Sequence, residues 1–164
     1  MEQGSILIRR VQASDRDGLL AFYRALSPES RATRFMGATR GISPEQARDF
    51  ASAPWRGGDG FVAVERATGE IVGHLYLEPI RAGREEVAVA TADRLRGMGI
   101  ARSMLKAAIV SGRNRRTRTF EATMLTGNRG IHRLLQRAGI PWRRRTVDFG
   151  TELLTMDIEA AAAA

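Results

Sequence analysis

The sequence predicts an α+β chain, α/β-like at its centre, with one mixed and mostly antiparallel sheet of six or seven strands and helices on both faces. Three observations predict it. Short segments alternate apolar and polar residues, while others repeat apolar residues at spacings of three and four. The segments follow the order β-α-α-β-β-β-α-β-α-β-β. The central strand–helix–strand–helix run needs a parallel pair with a right-handed crossover, and the flanking hairpins are antiparallel.

The elements follow in order. Residues 6–11 read as a first strand. Ser14 offers an N-cap, with Asp15 and Asp17 in the first turn, and Leu19, Phe22, Tyr23 and Leu26 form one apolar helical face. Ser27-Pro28 restarts a short helix through Phe35, and Ser43-Pro44-Glu45-Gln46 starts another that ends before Pro54. Residues 56–60 read as a loop. Residues 61–66 and 71–77 form a hairpin around Thr68-Gly69, and 85–91 is a further strand. A helix over 99–113 places Ala101, Met104, Leu105 and Ala108 on one face. Strand 119–125 and helix 128–138, closed by Gly139, complete the parallel unit. Two strands over 142–148 and 151–158 end the fold, separated by Gly150.

Bulk composition narrows the classes. The chain has 164 residues, 43% of them hydrophobic, which suits one globular domain over 1–159 with a low-complexity alanine tail at 160–164 that frays from the last strand. No apolar run approaches a membrane span, and the opening Met1-Glu2-Gln3-Gly4 is no signal peptide, so the expected location is cytoplasmic. The absence of cysteine excludes disulfides, thiolate catalysis and cysteine metal sites, and His74 and His132 are too isolated to suggest any metal site. The net charge is +8, with Lys106 the only lysine. Such charge can attract a polyanion or a nucleotide cofactor, but it also follows from the arginine-rich coding of a GC-rich genome. The basic segment 113–118 lacks interleaved aromatics, so a solvated loop is preferred to a nucleic-acid site. Trp55, beside a glycine-rich loop, is a candidate lining residue for an acceptor pocket.

One turn carries chemistry. Arg96-Gly97-Met98-Gly99-Ile100-Ala101 lies between a strand and an amphipathic helix. Its glycines permit a tight turn with exposed N–H groups, and the helix start adds further unpaired donors and a partial positive charge. That combination binds phosphate or pyrophosphate. Arg96, Arg102 and Ser103 could add side-chain contacts.

The turn matches the Gln/Arg-x-x-Gly-x-Gly/Ala pattern, and the chain thereby resembles the GNAT acetyltransferases. Glu86 to Asp93 resembles that family's fourth strand, and Ala122 to Leu125, Asn128 and the helix ending at Gly139 resemble its fifth strand and next helix. The opening, with Ile8-Arg9-Arg10 and Asp15, then Phe22-Tyr23 and Leu26-Ser27-Pro28-Glu29-Ser30 with Arg34-Phe35, is similar to the acetyltransferase domain of bacterial Pat-type protein-lysine acetyltransferases.

The resemblance implies transfer of an acetyl or other short acyl group from acetyl-CoA to an amine, by direct attack in a ternary complex. The amine would belong to a small molecule or a protein lysine, and a second copy of the chain is a candidate partner. It assigns the coenzyme pyrophosphate to the backbone of Arg96, Gly97, Met98, Gly99, Ile100 and Ala101, with Arg102 close by. The pantetheine arm falls beside Val87, Ala88 and Val89, whose N–H groups would also polarise the thioester, and Asn128 contacts the coenzyme from the far side. Glu86 is the implied general base, with Glu85 as fallback because a one-residue slip swaps which carboxylate faces the cleft. The family's acid tyrosine is replaced by Leu135, leaving water, Ser103, Thr126 or His132 as proton sources. That departure keeps a non-catalytic acyl-CoA-binding module as the alternative, and a basic nucleic-acid-binding protein as a further one.

Overall fold

Alternating strands and two sets of amphipathic helices close into a two-layered core in the computed structural model, which describes residues 5–148 and 150–161. The chain runs β1 (Ile6–Arg10), α1 (Arg16–Ala25), α2 (Pro28–Phe35), α3 (Pro44–Ala51), β2 (Asp59–Glu65), β3 (Ile71–Arg81), β4 (Arg84–Thr91), α4 (Ile100–Asn114), β5 (Thr119–Leu125), α5 (Arg129–Ala138), β6 (Trp142–Asp148) and β7 (Thr151–Asp157). Seven strands form one sheet in the order β1-β2-β3-β4-β5-β7-β6. Every neighbouring pair is antiparallel except β4 and β5, which run parallel.

Strand alternation divides the core. Leu75, Leu77, Val87, Phe120 and Met124 pack with Met104, Leu105 and Leu135 of α4 and α5. On the other face, Val62 and Ile71 meet Leu19, Phe22, Tyr23 and Leu26 of the α1 region. Each fully buried side chain of this size contributes roughly 1.5–3 kcal/mol of transfer free energy. Capping sets the helix starts. Ser27 Oγ accepts from the Ser30 N–H at 3.2 Å, and Ser43 and Gln46 cap each other reciprocally at 3.1 and 2.8 Å.

Several boundaries differ from the sequence reading. Ser14 sits in a 3-10 turn, and α1 starts at Arg16 because Asp15 bends the chain back. Its carboxylate accepts from the Gln12 N–H at 2.7 Å and from both arms of Arg9, each at 2.7 Å. β2 begins inside the expected loop, at Asp59, and β3 continues to Arg81. Pairing causes both extensions: Asp59 lies opposite Leu77, and Glu78, Pro79 and Arg81 lie opposite Glu86, Glu85 and Arg84.

The basic segment is structural rather than a solvated loop. Arg113 donates to the carbonyls of Ile158 and Ala161, each at 2.8 Å. Arg115 bonds Asp59 at 2.7 Å and forks onto Glu85 at 2.7 and 2.9 Å. Ala161 is buried, so the described start of the alanine tail is anchored to the core. The rest of that tail and the four N-terminal residues read for a signal peptide lie outside the described residues. Among those described, no helix is long and apolar enough to cross a membrane.

Candidate active site

The site begins where the sheet stops being continuous. β4 and β5 pair only through Arg84–Thr119, Glu85–Phe120 and Glu86–Glu121. Beyond Glu86, the edge of β4 that faces β5 has no strand partner among the described residues, although β4 remains paired to β3 as far as Thr91. β5 continues to Leu125 along β7. A wedge therefore opens toward the carboxyl ends of both strands, flanked by Val87, Ala88 and Val89 of β4. Such a gap at the carboxyl end of parallel strands is a common ligand position. Free backbone donors on an open strand edge can pair with an extended amide chain.

The Arg96–Ala101 turn closes the β4 side of this mouth. Gly97 and Gly99 hold φ of +80° and +83°, and open space lies where either Cβ would project. Met98 N–H is loosely bonded to the Leu95 carbonyl at 3.4 Å and Arg96 N–H to Asp93 at 3.3 Å. The N–H groups of Gly97, Gly99, Ile100, Ala101 and Arg102 find no acceptor among the described residues. These five unpaired donors, four of them consecutive at the helix start, form a cradle for an anion.

Side chains around the turn do less than expected. The Arg96 guanidinium is bound to Asp93 at 2.9 Å and to the Ser30 hydroxyl, so it fastens the turn to α2 instead of standing free. Arg102 lines a groove of about 540 Å³ on the β1 side of α4, which runs from Met98, Gly99 and Ile100 of the turn to Ile6, Ile8 and Lys106. The groove shares the turn with the wedge, but the open edge of β4 does not line it. Asp93 is a residue that sequence reasoning noted only as an endpoint. It accepts from the Ser27 N–H at 2.8 Å and from the hydroxyls of Ser27 and Ser30, and so binds the N-terminus of α2 to the turn. Desolvation pushes its pKa up, but these hydrogen bonds and the Arg96 charge outweigh it and hold the carboxyl below its ordinary value.

Asn128 stands at the corresponding end of β5. Its Oδ1 accepts from the Ile131 N–H at 3.4 Å, which makes it the N-cap of α5. Glu86 is exposed on the sheet face that carries α1 to α3, in register with Glu78 and Glu121. Arg84 engages Glu121, whereas Glu86 and Glu78 have no cation partner among the described residues. Glu85 points the opposite way, is 4% exposed, and is held by Arg115. The two adjacent carboxylates thus occupy opposite faces, one accessible and one locked.

The profile described as the acetyltransferase (GNAT) domain matches residues 5–140. The chain belongs to the GNAT acetyltransferase family. An acetyltransferase of Pseudomonas aeruginosa is 28% identical over 142 residues, which span 85% of this chain and 76% of that protein. The GNAT domain of S. lividans PAT superposes with a TM-score of 0.81 at 25% identity, over 92% of this chain and 89% of the other. A ribosomal-protein-alanine N-acetyltransferase of Brucella melitensis shares the fold with a TM-score of 0.72 at 24% identity, over 92% and 97% of the two chains. As a GNAT member, the protein is an acetyl-CoA-dependent N-acetyltransferase.

Within this GNAT chain the proton donor is not a tyrosine on α5. Leu135, at that position, is 1% exposed and packed in the core. His132 packs at a tilt on Trp142, with ring centroids 4.8 Å apart, and its Nε2 lies 3.8 Å from Glu152 of β7, which ties it to the β6–β7 side. Trp55, expected near the acceptor, is 68% exposed and lines neither groove. The sheet face that carries Glu86 also carries a packed cluster of Tyr23, Arg34, Phe35, Phe50, His74 and Tyr76. The sequence marks Tyr23, Arg34 and Phe35 only as parts of helices and of the family-like opening and His74 only as isolated, and it does not show that they meet, because α1, α2, α3 and β3 contribute one or two residues each. Among the described residues, no three potential ligands cluster around a metal position.

Proposed function

We propose that residues 1–159 act as one domain that transfers acetyl from acetyl-CoA to an amine by direct attack while both substrates are bound. The single observation that supports this most is the set of unpaired N–H groups of Gly97 and of Gly99 to Arg102, set at the mouth of the β4–β5 wedge. The backbone of Arg96, Gly97, Met98, Gly99, Ile100 and Ala101 holds the pyrophosphate, helped by the N–H of Arg102. Val87, Ala88 and Val89 pair with the pantetheine amides along the open edge of β4. Asn128, whose amide nitrogen is not used in capping, reaches the coenzyme from the β5 side.

Acetyl-CoA supplies an activated thioester carbonyl, and the chain supplies position and proton traffic. N–H groups around Val87 to Val89 polarise that carbonyl. The acceptor arrives as an ammonium ion, drawn by Glu86 and Glu78, and must lose a proton before it can attack. Glu86 is the base that takes it. With Leu135 at the tyrosine position, the departing thiolate takes its proton from water.

Thiol release tests this reading. Glu86→Gln should lower kcat by about a hundredfold or more and leave coenzyme A affinity intact. Equal turnover by wild type and variant removes Glu86 from the role. Absence of coenzyme A binding rejects the whole proposal. The likeness to the S. lividans PAT domain favours a second reading in which the amine is a protein lysine.

A further inference from the structure

The sheet ends in two edge strands of different character. β6 carries Arg143, Arg144 and Arg145 in succession, so cations stand on both of its faces. Charged side chains on an edge strand oppose pairing with another chain. β1 reads Ile6-Leu7-Ile8 before its two arginines, and those are neutralised within the fold, Arg9 by Asp15 and Arg10 by Asp59. The β1 edge thus lacks the guard that the β6 edge has.

Register determines which backbone groups of β1 are free. Arg66 N–H donates to the Ser5 carbonyl at 2.8 Å and Val11 N–H to that of Gly60 at 2.9 Å, both across the pairing with β2. Hydrogen-bonded pairs alternate along an antiparallel ladder, so the backbone groups of Ser5, Leu7, Arg9 and Val11 face β2 and those of Ile6, Ile8 and Arg10 face outward. The Arg10 carbonyl accepts from the Arg9 guanidinium at 3.0 Å. The N–H and C=O groups of Ile6 and Ile8 have no partner among the described residues. They are free to pair with an incoming strand, which would lie about 4.8 Å from β1.

The groove of about 540 Å³ beside this edge supplies side-chain contacts. Its apolar lining is Ile6, Ile8, Leu95 and Met98, and Met98 is 42% exposed. Its charged lining is Arg102 and Lys106 of α4, which have no carboxylate within ion-pair distance among the described residues. The Ser5 hydroxyl, also on this groove, is buried without a partner. Side chains of an added strand alternate between the two sheet faces, so every second one enters the groove. The isoleucines suit an apolar side chain there, and Arg102 and Lys106 suit a carboxylate. A second copy of the chain would bring its own Arg102 and Lys106 to the same edge, so like charges oppose that occupant.

We propose that the β1 edge and this groove form a docking site for an extended segment of a partner protein, with apolar and acidic residues on the face that the segment turns to α4. Strand pairing with Ile6 and Ile8 supplies affinity, and Arg102 with Lys106 selects acidic sequences. The groove also touches Met98, Gly99 and Ile100, which sets the docked segment against the turn.

The test is an array of peptides of about six residues, an ordinary strand length, probed with the full chain. Threonine occupies every second position, and glutamate, lysine, valine or serine occupies each of the others, in every combination. Affinities of the strongest members are then measured in solution by fluorescence anisotropy. Those members should combine valine with glutamate and bind about tenfold or more tighter than the same peptides with lysine for glutamate. N-methylation of alternate amides should weaken binding by about tenfold on one edge of the peptide and leave it unchanged on the other, as strand pairing requires. Lys106→Glu should remove the preference for glutamate. Ile8→Pro deletes an outward N–H without touching the ladder to β2, and should weaken binding by a similar factor. The N-methylated peptides read the same contact on the wild type, so the test does not depend on Ile8→Pro folding. No binding by any member, equal or tighter binding with lysine, indifference to N-methylation on both edges, or a preference for glutamate undiminished in Lys106→Glu each overturns the proposal. So does a dimer in sedimentation that Ile8→Pro dissociates, since a second copy then holds the edge.

Discussion

Neighbouring carboxylates with opposite surroundings define the residue scale. Glu85 is buried and doubly bonded to Arg115, whereas Glu86 is exposed and unpaired. Glu85→Gln should therefore destabilise the fold by about 3 kcal/mol, because it leaves a half-satisfied buried cation. Glu86→Gln should shift stability by no more than about 0.5 kcal/mol while removing most activity. Urea unfolding set beside thiol release reads both, and a large stability loss for Glu86→Gln would count against its assignment. Leu135 gives a second contrast. Leu135→Tyr restores the family's expected acid in a packed position, so it should lower stability by about 1–3 kcal/mol and bring no gain in rate. A faster Leu135→Tyr enzyme would show that this position reaches the thiolate. The Glu86 and Leu135 positions were both legible in the sequence through the family pattern. The partner of Glu85 was not, because Arg115 lies 30 residues away in a segment that reads as solvated.

At the scale of elements, the turn after β4 and the start of α2 behave as one unit. Gly97 and Gly99 both occupy the left-handed region with no neighbour near the Cβ position, so the penalty for alanine is conformational rather than steric. Gly97→Ala or Gly99→Ala should cost about 1–2 kcal/mol in stability and weaken coenzyme A binding further, since the methyl group enters the anion cradle. Calorimetric titration of each variant checks this, and unchanged affinity in both would move the pyrophosphate away from the turn. Helix starts at Ser27 and Ser43 were legible because caps act within three residues. The clamp from Asp93 to Ser27 and Ser30 was not, because it spans more than 60 residues and depends on how α2 settles against β4.

For the whole molecule, element order and the parallel centre were readable from periodicity, while the position of β7 between β5 and β6 was set by pairing. The wedge belongs to the same category: it arises because β4 and β5 share only three paired positions. Acid stability is also a property of the whole fold. His74 titrates near 3 in the folded protein and near 6.5 when unfolded, so between these values only the unfolded chain takes up its proton. Stability contributed by neutral His74 is complete above pH 6.5 and should fall by up to about 1.4 kcal/mol per unit as the pH drops toward 3. Asp59 and Asp93, both held below their ordinary values, add further losses once the pH falls below the usual carboxylate range. Urea midpoints for wild type and His74→Gln between pH 6 and pH 4.5 should diverge in slope, with the variant flatter; equal slopes would mean that His74 is not held neutral. The central claim is that the coenzyme lies in the wedge with its pyrophosphate on the unpaired N–H groups. A crystal structure of the coenzyme A complex tests it most directly. Pyrophosphate oxygens should lie about 2.7–3.2 Å from the nitrogens of the Gly97–Arg102 turn, with pantetheine beside Val87 to Val89. Density for the coenzyme in the groove of Ile6, Ile8 and Lys106, with the β4–β5 wedge empty, would contradict it.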